Sequence, residues 1–177
     1  MFTKTASLRA QSTHMLDKCN FRGLLDFGRP LTEATGHPTM TSFALNPRLE
    51  GDSLFVADLP LSSVRLMKDA NYPWLLLVPR KSDLVEIIDL DDGDQMQLMR
   101  EIALSSSALR TVTECEKLNV GALGNQVPQL HVHVIARFRN DSAWPGPVWG
   151  VVPPADYETD HADRLIGDLR DALADAQ

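Results

Sequence analysis

The sequence predicts an α+β domain built on an antiparallel sheet, and three observations carry that expectation. Short β-type runs come first, one long amphipathic stretch interrupts them, and a strictly alternating strand is followed by a second helical stretch. A chain of 177 residues with 44% hydrophobic content suits one globular domain with its own core.

Residues 1–39 carry no sustained period and are broken by Gly28-Arg29-Pro30 and Gly36-His37-Pro38, which predicts a loosely ordered extension. It is a basic opening on an otherwise acidic chain, and Met40 is an alternative start of translation, leaving a domain over residues 40–177. The opening also has some features of a transit peptide, but no apolar core of a secretory signal. Ser53–Ala57 and Ser63–Met67 read as strands separated by Asp58-Leu59-Pro60. Trp74–Val78, WLLLV between two prolines, reads as a buried strand. Asp91 is placed to cap a helix, with Asp94 three residues on; Met96, Met99, Ile102, Ala103, Ser106, Leu109 and Val112 follow at helical spacing to about Lys117. Leu118–Leu123 and Gln129–Phe138 return to strand patterning. After a Pro/Gly/Trp loop, a last helix runs from Asp156 to about Ala174, with Leu165, Leu169, Ala172 and Leu173 on one face.

Composition narrows the function. A net charge of −7 argues against a general nucleic-acid binder, whose affinity comes from Lys and Arg on phosphates. The longest apolar run, Trp74–Val78, is far short of the roughly 20 residues of a membrane-spanning helix. Cys19 and Cys115 form neither a disulfide framework nor a paired zinc spacing, which points to a reducing, cytoplasmic setting.

The informative element is Gln129–Phe138. A strand sends alternate side chains to opposite faces, so Gln129, His131, His133, Ile135 and Arg137 share one side and Leu130, Val132, Val134, Ala136 and Phe138 the other. The apolar side is the expected core face. Two imidazoles about 7 Å apart at the Cα level then line the opposite face, which is either an anion-binding row or an ordinary solvated sheet face. Gly124-Asn125-Gln126 just upstream is a turn able to present backbone N–H groups to phosphate. Two such imidazoles also suit a shared metal, but no third ligand falls in register, so no metal site is assigned.

Gln129-Leu130-His131-Val132-His133-Val134-Ile135 resembles the signature of the histidine triad superfamily, His-φ-His-φ-His-φ-φ with φ apolar, except that Gln129 stands where the first histidine belongs. The similarity spans roughly residues 43 to 150 in the family's usual order, and it is to the bacterial branch described as diadenosine-polyphosphate-hydrolase-like. The resemblance implies a five-stranded antiparallel sheet with one long helix and a C-terminal helix, a homodimer, and a nucleotide substrate.

It also implies roles. His131 would attack the α-phosphorus and form a nucleotidyl-histidine that water hydrolyses, with its tautomer set by a main-chain carbonyl, for which residue 129 is the candidate. His133 would hydrogen-bond a nonbridging phosphate oxygen, and assistance to the leaving group would either be absent or come from Gln129. Backbone donors around Asn125, Gln126 and Val127 would hold phosphate; Asp69, and after it Asn71, would meet the ribose; Trp144 would close over phosphates or base. A plain hairpin turn is the other reading of Asp69-Ala70-Asn71-Tyr72-Pro73, and plain packing that of Trp144. The chemistry requires no cofactor, although a divalent metal on the substrate phosphates is compatible with it. Departures are Gln129, Trp74 and Ser82, each where relatives often carry histidine. They keep a second class open, a nucleotide binder with little catalysis, alongside a nucleotidyl transferase using the same residues.

Overall fold

The computed structural model describes residues 42–176, so the expected extension over residues 1–39 and the alternative start at Met40 lie outside the described residues. A five-stranded sheet forms the frame: β1 (Ser53–Asp58), β2 (Ser62–Met67), β3 (Trp74–Pro79), β4 (Lys117–Gly121) and β5 (Val132–Arg137). The strands lie in the order β1-β2-β3-β5-β4, and every neighbouring pair is antiparallel. The expected α+β class and five-stranded antiparallel sheet are therefore observed. Among the described residues three α-helices complete it: short α1 (Pro47–Gly51), long α2 (Asp92–Thr113) and C-terminal α3 (Thr159–Asp175). Among the described residues no helix is long and apolar enough to cross a membrane.

Helix α2 starts where the capping signal places it, because the Asp91 side chain accepts from the Asp94 N–H at 2.9 Å. It stops at Thr113, earlier than expected, because Glu114 turns left-handed at φ 53° and closes its N–H onto the Arg110 carbonyl. Its buried face also differs. Leu98, Glu101, Ile102, Ser105, Ala108 and Leu109 point inward, whereas Met96 and Met99 stay 59% and 65% exposed. The buried Glu101 carboxylate explains part of that rotation: it accepts from the Leu61 and Ser62 N–H groups at 2.7 and 2.9 Å, tying the β1–β2 turn to the helix. A polar residue thus faces inward because two buried backbone donors need an acceptor.

The middle strands are buried on both faces. One face packs Val64, Leu66, Leu75, Leu77, Val132, Val134 and Ala136 against α2 and α3, the expected core. The other face carries Trp74, Leu76, Val78 and Ile135, and is covered by Leu49, Val127, Ala143 and Val148 with Phe43, Leu45 and Trp149 alongside. This corrects the reading of a solvated histidine face: His131 and His133 are each only 7% exposed. The physical reason is that segment 43–49 and loop 143–152, both distant in sequence, fold over it. Ladder pairing in β5 begins at Val132, so residues 129–131 lead into the strand without being part of it.

Candidate active site

His131 and His133 project from the same side of β5 and its lead-in, their ring centroids 4.8 Å apart and nearly perpendicular. Each has its Nδ1 anchored, by partners of opposite kind. His131 Nδ1 lies 2.7 Å from the Gln129 carbonyl oxygen, which can only accept, so that nitrogen carries the proton and the lone pair is on Nε2. His133 Nδ1 lies 2.9 Å from the Trp74 indole nitrogen, which can only donate, so His133 accepts there and carries its proton on Nε2. A lone pair and an N–H donor therefore sit side by side, neither Nε2 having a protein partner among the described residues.

Rings enclose this pair. Trp74 meets His133 edge-on at 5.2 Å, and Trp149 meets both His133 and Trp74, at 5.6 and 5.9 Å. Strand pairing sets Leu76 and Gly121 opposite His133, and the open Cβ position of Gly121 is where the Trp149 ring rests, 3.6 Å away. Burial in this apolar box, and secondarily the neighbouring His131, pushes the His133 pKa from 6.5 down to about 3. Below pH 6.5 the unfolded chain takes up a proton that folded His133 refuses until about 3. This contribution to stability is thus complete above 6.5 and declines as pH falls through that window, at up to about 1.4 kcal/mol per pH unit. We expect His133→Gln to flatten that decline, which chemical denaturation at about pH 7 and about pH 4.5 measures through the linkage slope.

Gln129 does not face an open leaving-group position with its whole amide. Its Oε1 accepts from the Asn46 N–H at 2.8 Å and its Nε2 donates to the Ala44 carbonyl at 2.9 Å, so the side chain clasps the segment leading into α1. These two bonds give the side chain a positional role, because two backbone groups of that segment need partners. The same segment reaches the phosphate-type turn: Arg48, just inside the Asn46-capped start of α1, donates to Gln126 Oε1 at 2.5 Å. Gly124 adopts φ +67°, the conformation that lets this turn close, and Asn125 and Gln126 are exposed while Val127 anchors it in the second core. Gln129→Ala removes both bonds of the clasp, each worth about 1 kcal/mol, and is expected to cost about 2 kcal/mol in urea denaturation while leaving the carbonyl that orients His131 in place.

Arg137, 2% exposed, lies at the far end of the same strand face. It is held by Asp141 through two bonds of 2.8 and 2.9 Å and by Asn119 at 2.5 Å. Asp141 in turn accepts from the Phe138 and Ala143 N–H groups, which fixes the start of the loop that delivers Trp149. Trp144 packs against the guanidinium groups of Arg137 and Arg139, at 5.8 and 5.9 Å, and stays 37% exposed. Of the two tryptophans in this loop, Trp149 is the one whose ring meets His133. Asp69 and Asn71 form the turn before β3, but Asp69 Oδ1 accepts from Asn71 and, at 3.3 Å, from the Ala155 N–H. Asn71 Nδ2 also donates to the Pro153 carbonyl at 2.9 Å, so Asn71 is occupied in tying down the chain before α3, leaving Asp69 Oδ2 as the oxygen of the pair without a hydrogen-bond partner among the described residues.

The structure thus brings together His131, His133, the backbone of Gln129 and the turn at residues 124–127, and adds Asn46, Arg48, Trp74 as a donor, and Trp149. Asn46-Pro47, a capping residue before a helix-starting proline, was a legible signal for α1; nothing local marks Trp149.

Residues 48–140 match the model of the HIT domain family. A solved histidine triad protein from Bradyrhizobium japonicum is 55% identical, with a TM-score of 0.74, covering 75% of this chain and 98% of its own. One from Sinorhizobium meliloti 1021 is 42% identical, with a TM-score of 0.73 and coverages of 75% and 98%. One from Marinobacter aquaeolei VT8 is 39% identical, with a TM-score of 0.74 and coverages of 77% and 99%. No curated protein matches the chain.

Proposed function

The chain belongs to the HIT domain, or histidine triad, family, and from that premise we propose that it is a nucleotide hydrolase acting through a nucleotidyl-histidine on His131. The substrate class is a nucleoside phosphoanhydride or phosphoramidate, dinucleoside polyphosphates included. The observation that carries this reading is the pair of opposed tautomers: a free lone pair on His131 Nε2 beside an N–H on His133 Nε2.

In the first step the His131 Nε2 lone pair forms a bond to the α-phosphorus, and the bond from phosphorus to the leaving oxygen or nitrogen breaks, that atom keeping the electron pair. A phosphate leaving group departs as an anion; an amine takes a proton from water. His131 becomes a substituted imidazolium, whose Nδ1–H stays hydrogen-bonded to the Gln129 carbonyl. His133 donates to a nonbridging oxygen as charge builds there. In the second step water bonds to phosphorus, the P–N bond breaks, its pair returns to Nε2, and the water proton leaves with solvent. Turnover to phosphate as acceptor would make the same enzyme a nucleotidyl transferase. Backbone donors at residues 125–127 would hold the phosphates, with Arg48 beside them through Gln126, and Asp69 Oδ2 would meet a ribose hydroxyl.

The second reading, a nucleotide binder with little catalysis, is favoured by one observation: the Gln129 amide is clasped to Ala44 and Asn46, and no imidazole stands there to serve a leaving group. Assembly as a homodimer is part of the proposal. β4 is an edge strand with Val120 50% exposed, and pairing with its counterpart would cover that edge. Steady-state assays of the full chain on adenosine and guanosine polyphosphates and phosphoramidates test the function. Hydrolysis of at least one class is the expected result; nucleotide binding without turnover would establish the second reading instead.

A further inference from the structure

Trp74 occupies a position where the resemblance puts a histidine, and its indole always does what an imidazole there would do only in one of its tautomers. An imidazole can donate or accept through either nitrogen and takes up protons near neutral pH, so two adjacent imidazoles leave each other's tautomer open. An indole N–H only donates and does not titrate. The Trp74 ring is itself fixed: it is 7% exposed, its backbone pairs with Ile135, and it packs edge-on against Trp149 at 5.9 Å.

We infer that Trp74 is a positioning residue of the reaction, whose indole N–H holds His133 Nδ1 as an acceptor and so keeps the His133 proton on Nε2, where the transferred phosphate needs a donor. The inference deepens the proposed hydrolase function and rests on it for its kinetic consequence, while the tautomer itself does not depend on any activity. Loss of an imidazole at this position thereby becomes a replacement of one device by another: the site exchanges a titrating neighbour for a permanent donor.

Two measurements on the full chain test this. In nitrogen-15-labelled wild type, NMR is expected to detect a through-hydrogen-bond coupling between Trp74 Nε1 and His133 Nδ1, with the His133 proton on Nε2 and the His131 proton on Nδ1. Absence of that coupling, or a proton on His133 Nδ1, overturns the inference. In kinetics with adenosine 5′-phosphoramidate and diadenosine tetraphosphate, Trp74→Phe keeps a ring but removes the donor, and Trp74→His keeps a donor in a smaller ring. Trp74→Phe is expected to lose about tenfold in kcat at unchanged KM, the worth of one hydrogen bond, with Trp74→His recovering to within about threefold of wild type. The reverse order, Phe outperforming His, makes Trp74 a packing residue and overturns the inference. Absence of turnover by the wild type defeats the proposed function, and the coupling then still decides whether Trp74 holds the tautomer.

Discussion

His131→Ala is expected to lower kcat by about a thousandfold or more, because under the proposed function it removes the atom that forms the covalent intermediate. The nucleophile differs from its surroundings in this respect. In the proposed mechanism His133 and Trp74 tune a step that would proceed more slowly without them, whereas a route lacking His131 Nε2 must rely on direct attack by water. His131→Gly is expected to match His131→Ala, and KM should change by no more than a few fold, about 1 kcal/mol, since the proposal has the phosphate held by the turn at residues 124–127. Steady-state kinetics on the best substrate of the panel measures both. Unchanged kcat in both variants removes His131 from the chemistry.

Asp141→Ala is expected to produce the largest loss of stability, about 3–5 kcal/mol, because it leaves the Arg137 guanidinium buried without its anion. Hydrogen bonds from Arg137 hold the Asp141 pKa below the usual aspartate value; burial opposes them, and the Phe138 and Ala143 N–H groups add to the lowering. A depressed carboxylate contributes stability that is complete above its unfolded pKa and is lost as pH falls through the lower folded value. Asp141→Ala should therefore lose the acid-side part of the wild type's pH dependence along with the stability itself. Replacing both members, as Arg137→Met with Asp141→Leu, should recover most of the loss, since the larger cost lies in the unpaired charge. Urea denaturation of the three variants separates these outcomes. A single-variant loss under about 1 kcal/mol would mean that water reaches Arg137 and that the pair behaves as a surface ion pair.

The frame of this fold was legible wherever the signal is local. The alternation across Leu130–Phe138 assigned each side chain to its correct face, since Val132 and Val134 lie in the helix-covered core and Ile135 in the other. The cap at Asp91 was legible because an acidic side chain and the N–H three residues on are enough to make it. What failed was long-range. Burial of the histidine face depends on residues 43–49 and 143–152, and the partners of the Gln129 amide lie more than eighty residues away in sequence. Binary patterning misread α2 for a related reason: Met96 and Met99 are apolar but exposed, while Glu101 and Ser105 are polar but inward-facing. Within the site, His131 and the carbonyl at residue 129 could be read from the signature, but the donor to His133 could not. Trp74 and His133 are 59 residues apart, and only strand pairing brings them together.

The most direct test of the account is to catch the intermediate. Rapid acid-free quenching of the full chain during turnover, followed by peptide mapping by mass spectrometry, is predicted to find one nucleotidyl group on the peptide containing His131, localised to that residue and absent from His131→Ala. Turnover that leaves no adduct and inverts configuration at phosphorus, or an adduct on a residue other than His131, would contradict it.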